Sequence, residues 1–363
     1  MIGNPPYVSS KAIPKKDKAI FQKIFLTAKG QYDLFCLFIE KSFSLCHSQG
    51  IQSFIIPDAF IGRSNFTPIR ELFIKGSKCR KLLHVNNVFE NANVSSLIYI
   101  TQCNAEDTNS TFQFTKTSSV KDRILGNYTT QFINQDLIYK TPNYKILHVD
   151  KQKFALILKL LNLKNDINDN CYLWRGEEIG KKSNYILDFE NTDTCQIVSG
   201  SNVQRYYIKQ PIKYILIKNV QKSLSDYQKE KILVRQLGNN INATYDKTGL
   251  ISTQSVYCIT SNNVPIKVLL AILNSKLVDF LFQNYVKEKQ EFPRILLENL
   301  KEIPIPKINK EQQQPTTSLV DKILTAKQEN PQTDTSEWEK EIDQLVYQLY
   351  GLTDEEIAII EEK

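Results

Sequence analysis

The chain has 363 residues, 41% hydrophobic and 23% charged, with a formal net charge of +7; that is enough apolar chain for a large core in two or three domains, which excludes a single small module. Seven cysteines without a CxxC pair, and three scattered histidines (His47, His84, His148) without HExxH spacing, argue against a disulfide framework and a metal centre. No apolar run reaches the ~20 residues that span a bilayer and no basic-then-apolar leader opens the chain, so it reads as a soluble, cytoplasmic protein that does not enter a membrane.

In chain order, the first feature is Asn4-Pro5-Pro6-Tyr7, directly after Met1-Ile2-Gly3. Residues 31–48 carry Leu34, Phe35, Leu37, Phe38, Phe43 and Leu45 on one stripe, which predicts a helix. After Gly50, the run 51–57 reads as a buried strand ended by Pro57, 67–75 as a short helix, and 82–88 and 95–101 as two neighbouring strands. This order suits an α/β sheet finishing in an antiparallel hairpin. From 126 to 310 the signals are short strands, at 185–187, 214–217 and 232–234, punctuated by Gly200 and Gly238. One long helix is predicted over 264–286, where Val268, Leu269, Ile272, Leu273, Leu277, Phe280 and Leu281 keep helical spacing. Residues 311–315 read as a linker, and 336–361 as an acidic helical hairpin turned at Gly351.

Charge is divided unevenly along this order. Positions 201–310 hold 17 Lys and Arg against 8 Asp and Glu, a balance of +9, whereas 311–363 hold 4 against 13, a balance of −9. The basic stretch also carries Tyr206, Tyr207, Tyr214, Tyr227, Tyr245 and Tyr257. Two readings fit: a surface for phosphates with aromatics near bases, or a solvated strand-rich surface whose tyrosines are core.

The opening tetrapeptide carries the most specific chemistry. Proline fixes its own φ and drives the preceding residue into extended space, so Asn4, Pro5, Pro6 and Tyr7 form a stiff corner. Such a corner can aim the Asn4 side-chain oxygen and the Pro5 carbonyl at one amino group. An exocyclic amine on a nucleobase attacks poorly because its lone pair is conjugated with the ring. Two acceptors that draw its hydrogens out of plane localise that pair, and no carboxylate base is needed. A base must leave the duplex to reach such a pocket, and Tyr7 is placed to stack on it. The plainer alternative is an ordinary turn after a strand. Asp58 reads as a solvated loop acid or helix cap.

With these residues in view, the sequence resembles the N6-adenine DNA methyltransferases of the NPPY type that carry a TaqI-like C-terminal specificity domain, as type IIG restriction-modification enzymes do. GNPPY (3–7) looks like the catalytic motif, 32–45 and 50–60 like the helix and strand that follow it, and VFENANVSSLIYI (88–100) like the motif whose aromatic stacks on the extruded adenine. That role falls on Phe89, for which a core aromatic is the alternative. RGEEIG (175–180), VSGSNVQRYYI (198–208), ILVRQLGNNINATYD (232–246) and the stretch 272–294 resemble the target-recognition domain, and 341–356 a tail common in these enzymes. The resemblance implies C-terminal strands of a Rossmann-like methyltransferase sheet in 1–125, an α+β target-recognition domain in 126–310, and a linker with a helical tail in 311–363. It implies S-adenosylmethionine as methyl donor, double-stranded DNA as partner, and Arg205, Lys209, Lys213, Arg235 and Arg294 as phosphate or base contacts.

One part of the family pattern is missing. No GxG occurs among the twelve glycines, so no glycine-rich cofactor loop is visible. The sequence therefore reads as the C-terminal piece of a methyltransferase, one subunit of a split enzyme completed by a second polypeptide, or a DNA-specificity module without chemistry. It also predicts that the strand at 51–56 lacks its parallel neighbour and that the chain alone associates through that edge.

Overall fold

The computed structural model describes residues 1–88, 95–103, 110–117, 119–163, 165–180, 183–286 and 294–362, in two compact units, Met1–Leu158 and Lys159–Lys363. In the first, the alternation of Ile51–Pro57 (β2) puts Phe54 and Ile56 on a buried face. A mixed sheet forms around it from Ile2–Gly3 (β1), Ser77–Asn87 (β3), Ser95–Cys103 (β4), Thr111–Lys116 (β5) and Thr129–Asn134 (β6), in the order β1-β2-β4-β3-β5-β6. β1 runs parallel to β2, with Ile2 opposite Ser53 and Gly3 opposite Phe54, and β3 runs parallel to β5; the other pairs are antiparallel.

The sequence expectation of a strand without its parallel neighbour is thus corrected: two residues suffice, because Met1 O also accepts from Ser53 N at 2.9 Å. β1 is the edge strand, and Ile2 is 88% exposed on it. Helix α1 (Lys15–Ile24) buries no residue, whereas α2 (Leu34–Leu45) and α3 (Thr67–Gly76) give Phe35, Ile39, Phe43, Ile69, Phe73 and Ile74 to the core. Phe73 sits at its centre, edge-on to Phe60 at 5.5 Å and to Tyr99 at 5.1 Å. Arg70, fully buried, donates to the carbonyls of Phe60, Arg63 and Asn143 and so fixes the loops that leave β2.

The second unit holds two four-stranded sheets. One is antiparallel, formed by Cys171–Arg175 (β7), Lys231–Arg235 (β13), Ala243–Asp246 (β14) and Val256–Ser261 (β16) in the order β14-β13-β16-β7. The other is formed by Ile186–Leu187 (β8), Thr194–Val198 (β9), Lys213–Leu216 (β12) and Ile251–Ser252 (β15) in the order β15-β9-β12-β8. A small hairpin pairs Val203–Gln204 (β10) with Tyr207–Ile208 (β11). A core of Trp174, Ile197, Val198, Ile215, Leu233, Ile251, Val256 and Cys258 draws on both sheets.

The helix predicted over 264–286 is broken into Ile266–Leu273, Lys276–Leu281 and a π-turn Phe282–Val286. The break has a cause: the Asn274 amide accepts from Ala243 N and donates to Ala243 O, both at 3.0 Å, and Ser275 caps the next helix. Residues 311–315, expected as a linker, lie inside the helix Lys310–Glu329, which an Asn309/Gln312 capping box starts upstream of Pro315. The acidic hairpin forms as Ser336–Leu349 and Asp354–Glu361, with Gly351 at φ 58° between them. These contact units do not coincide with the segments 1–125, 126–310 and 311–363 read from sequence. β6, at 129–134, belongs to the first sheet, and the last three helices lie in the second unit.

Candidate functional site

The corner at 4–7 leaves the carboxyl end of β1, beside the carboxyl end of β2. Among strands that run in parallel this is the end where ligands gather. Gly3 keeps the approach close there: a Cβ would stand 3.1 Å from the Phe54 ring, which would have to give way. Asn4 is exposed, Pro5 buried, and Pro6 and Tyr7 half-buried. Burial pushes the Tyr7 phenol above its usual range, while the nearby Ser96 hydroxyl works the other way. Beyond the corner, Leu34 N donates to Val8 O at 2.8 Å and Ser10 N to Tyr32 O at 2.9 Å, so the loop is anchored on both sides.

A buried polar cluster stands at the same end of the sheet. His84 Nε2 lies 3.2 Å from Asp58 Oδ2 and 3.2 Å from Ser95 Oγ, and its Nδ1 has no hydrogen-bond partner among the described residues. The side chains of His84 and Asp58 are 8% and 12% exposed. Asp58 is therefore neither the solvated acid nor the helix cap expected from sequence. Aspartate, histidine and serine in contact suggest a hydrolytic triad, but both partners meet the same ring nitrogen, so no proton can pass across the ring. The cluster is a clamp. It ties the turn after β2 to the facing ends of β3 and β4, and Ser96, next to Ser95, is the hydroxyl beside Tyr7. Sequence reasoning missed His84 because only the strand register brings positions 58, 84 and 95 together. Phe89 lies outside the described residues.

In the second unit, Lys209 and Lys213 line a cavity of about 280 Å³ with Ile186, Ile197, Val198, Ser199, Ser201, Asn202, Gln210, Pro211 and Thr253. Lys213 Nζ is 2.6 Å from Asp188 Oδ1, an exposed pair of the kind that yields readily to another anion. Arg235 ends β13 half-buried, and Arg294 is exposed. Arg205 is engaged within the unit: its Nε donates to Glu339 Oε2 at 2.7 Å and its NH1 lies 3.6 Å from Asp279 Oδ2, so the guanidinium is a strut to the acidic tail. The tyrosines divide. Tyr206, Tyr227 and Tyr257 are core, at 1%, 0% and 3% exposure, whereas Tyr207, Tyr214 and Tyr245 are half-buried. The buried three sit on different elements, Tyr206 in the β10–β11 turn at φ 67°, Tyr227 in the short helix Leu224–Gln228 and Tyr257 in β16, and their burial favours the core reading for half of the aromatic set.

Among the described residues the glycines differ in their surroundings. Gly3, Gly176 and Gly200 are pressed against protein atoms, and Gly30, Gly62, Gly76, Gly126 and Gly351 have nothing within 4 Å of a built Cβ. Among those residues, also, no helix is long and apolar enough to cross a membrane.

Comparison with known proteins gives two domain matches. Residues 1–89 match the Eco57I restriction-modification methylase family, and residues 195–305 match the TaqI-like C-terminal specificity domain. The type II restriction enzyme and methyltransferase RM.Eco57I of Escherichia coli is 22% identical over 204 residues, 52% of this chain and 20% of that protein. The type II methyltransferase M.HincII of Haemophilus influenzae is 27% identical over 189 residues, 48% of this chain and 37% of that protein. The chain thus spans well under half the length of these relatives. Among solved structures, the type IIL restriction-modification enzyme MmeI, determined in complex with DNA, has the same fold over 99% of this chain and 55% of its own, with a TM-score of 0.67 at 15% identity.

Proposed function

As a chain that carries an Eco57I-type restriction-modification methylase segment and a TaqI-like specificity domain, we propose that this protein takes part in methyl transfer to the N6 amine of an adenine swung out of a specific DNA duplex site. The observation that carries the reading is the position of Asn4-Pro5-Pro6-Tyr7: a proline-stiffened corner at the carboxyl end of parallel β1, its Tyr7 half-buried over the braced start of β4.

In this reading the Asn4 side-chain oxygen and the Pro5 carbonyl accept the two amine hydrogens. Pro6 keeps the corner stiff, and Tyr7, with Phe89, presents a flat face to the base. Drawing the hydrogens out of plane localises the nitrogen lone pair toward the incoming carbon. S-adenosylmethionine is the methyl donor that methyltransferase relatives imply, and it supplies an electrophilic methyl group when bound. No residue of this chain is assigned to it; a second polypeptide or a further segment is the proposed source of its contacts. Lys209, Lys213, Arg235 and Arg294 are the proposed DNA contacts, in an α+β target-recognition domain within the second unit that follows Rossmann-like strands in the first.

The test is adenine methylation of plasmid DNA, read by long-read sequencing, with this chain alone and with the cofactor-binding half of a related methylase. Methylation that depends on the chain and disappears in Asn4→Ala supports the reading. Methylation that survives Asn4→Ala removes the mechanism. A second reading, sequence-specific DNA binding without chemistry, is favoured by the basic balance of 201–310; it predicts duplex binding that weakens steeply between about 50 and 200 mM salt with no methylation in either arm.

A further inference from the structure

One end of the β14-β13-β16-β7 sheet is built around a tightly held turn. Val256 N donates to Thr253 O at 3.0 Å to close it, Thr253 N donates to Val198 O at 2.9 Å, and Gln236 N donates to Ser255 O at 3.0 Å. Two glycines allow this approach. A Cβ on Gly176 would lie 2.3 Å from Thr253 O, and one on Gly200 would lie 2.9 Å from Ser255 O. Thr253 is buried, so the long side chain that the turn displays is the half-buried Gln254.

One arginine grips it, and two more lie at nearby chain positions. Arg175, at the end of β7 and opposite Tyr257, donates through Nε to Gln254 O at 2.7 Å and reaches Gln254 Oε1 at 3.4 Å, with Glu178 also 3.4 Å from its NH1. Arg235 leaves β13 opposite Val256, and Arg294 is bridged to Leu237 just beyond it. The turn's own backbone bonds do not call for an amide at 254. A carboxamide carries a donor and an acceptor side by side, the pattern that matches the N7 and N6 edge of adenine in the major groove, and Oε1 keeps a second lone pair after meeting Arg175.

Resting on the DNA reading above, we infer that Gln254, steadied by Arg175, determines specificity by hydrogen-bonding the edge of one base in the duplex. Arg235 and Arg294 hold the flanking phosphates. Base contacts carry sequence information and phosphate contacts do not, which separates the two roles experimentally.

The test is selection from a random duplex library by the purified full chain, sequenced at two salt concentrations, for wild type, Gln254→Ala, Gln254→Glu and Arg294→Ala, with melting curves to establish that each variant folds. Gln254→Ala is expected to lose roughly 10-fold or more of the preference at one position of the selected motif, leaving the other positions and the salt dependence unchanged. Gln254→Glu, which keeps an acceptor toward Arg175 but loses the donor, is expected to change the preferred base at that same position. Arg294→Ala is expected to weaken binding to all sequences alike. An unchanged motif in both Gln254 variants, or uniform weakening in place of a change at one position, overturns the inference while the DNA reading stands. A wild-type chain that binds duplex but enriches no motif contradicts the specificity reading and this inference with it.

Discussion

The two units put buried polarity to different uses. In the first, Asp58, His84 and Ser95 form a clamp at the same strand ends as the proposed reaction corner. In the second, the buried charges lie within the scaffold: Lys231 pairs with Asp246 at 0% and 1% exposure, and Glu177 accepts from Gln221 N, Lys222 N and Tyr227 OH. Arg175 and Arg235 stand at strand ends. The contrast teaches that a site whose chemistry sits in four consecutive residues needs bracing from behind, whereas a recognition surface gathered from separate strands needs a rigid frame.

The largest effects test the two frames. Phe73→Ala in the first unit and Lys231→Met in the second are each expected to cost about 3 to 5 kcal/mol in urea denaturation, the former by opening a cavity and the latter by leaving Asp246 charged and unpaired in the core. If Lys231→Met is nearly neutral, the second frame does not depend on its ion pair and the contrast fails.

The clamp comes next. His84→Leu, which fills the space without a donor, is expected to cost about 1 to 3 kcal/mol because Asp58 loses its buried partner. His84→Gln can still reach Asp58 and should recover part of that loss. Equal losses in the two variants would make the site a matter of packing, not of hydrogen bonding.

Smaller effects sharpen the picture of the second unit. Each phosphate contact removed there, by Lys209→Ala or Arg294→Ala, should lower the slope of log affinity against log salt by about 0.9. Asp343 gives a pH signature. Burial pushes its carboxyl up to about 6, against the opposing pull of the Lys276 backbone N–H and Arg205. The folded state therefore holds the proton more tightly than the unfolded chain. The stability this adds is full below the ordinary carboxylate range and is lost as pH rises through about 6. The difference between wild type and Asp343→Asn in urea midpoint should shift between pH 4 and 6.5 and level off above it.

What could be read from sequence follows the same division. The corner at 4–7, the strand at 51–57 and the turn at Gly351 are local, because proline geometry, apolar runs and a glycine with positive φ act within a few residues. The broken helix after Leu273 was not legible, since the side chain that breaks it, Asn274, bonds to Ala243 thirty-one positions away. The helix at 310–329 was hidden by a proline that its capping box outweighs. The ion pairs of Arg205 were not legible either, because its partners Asp279 and Glu339 lie far along the chain. The Asp58–His84–Ser95 clamp and the Arg175–Gln254 pair depend on strand register, which alternation alone does not fix.

The most direct test of the central claim is a structure of the chain, completed by a cofactor-binding half, on a duplex carrying one adenine opposite an abasic site. The account predicts the adenine outside the helix, its amine between the Asn4 side-chain oxygen and the Pro5 carbonyl and its ring on Tyr7. An adenine still stacked in the duplex, or lodged away from those three residues, contradicts it.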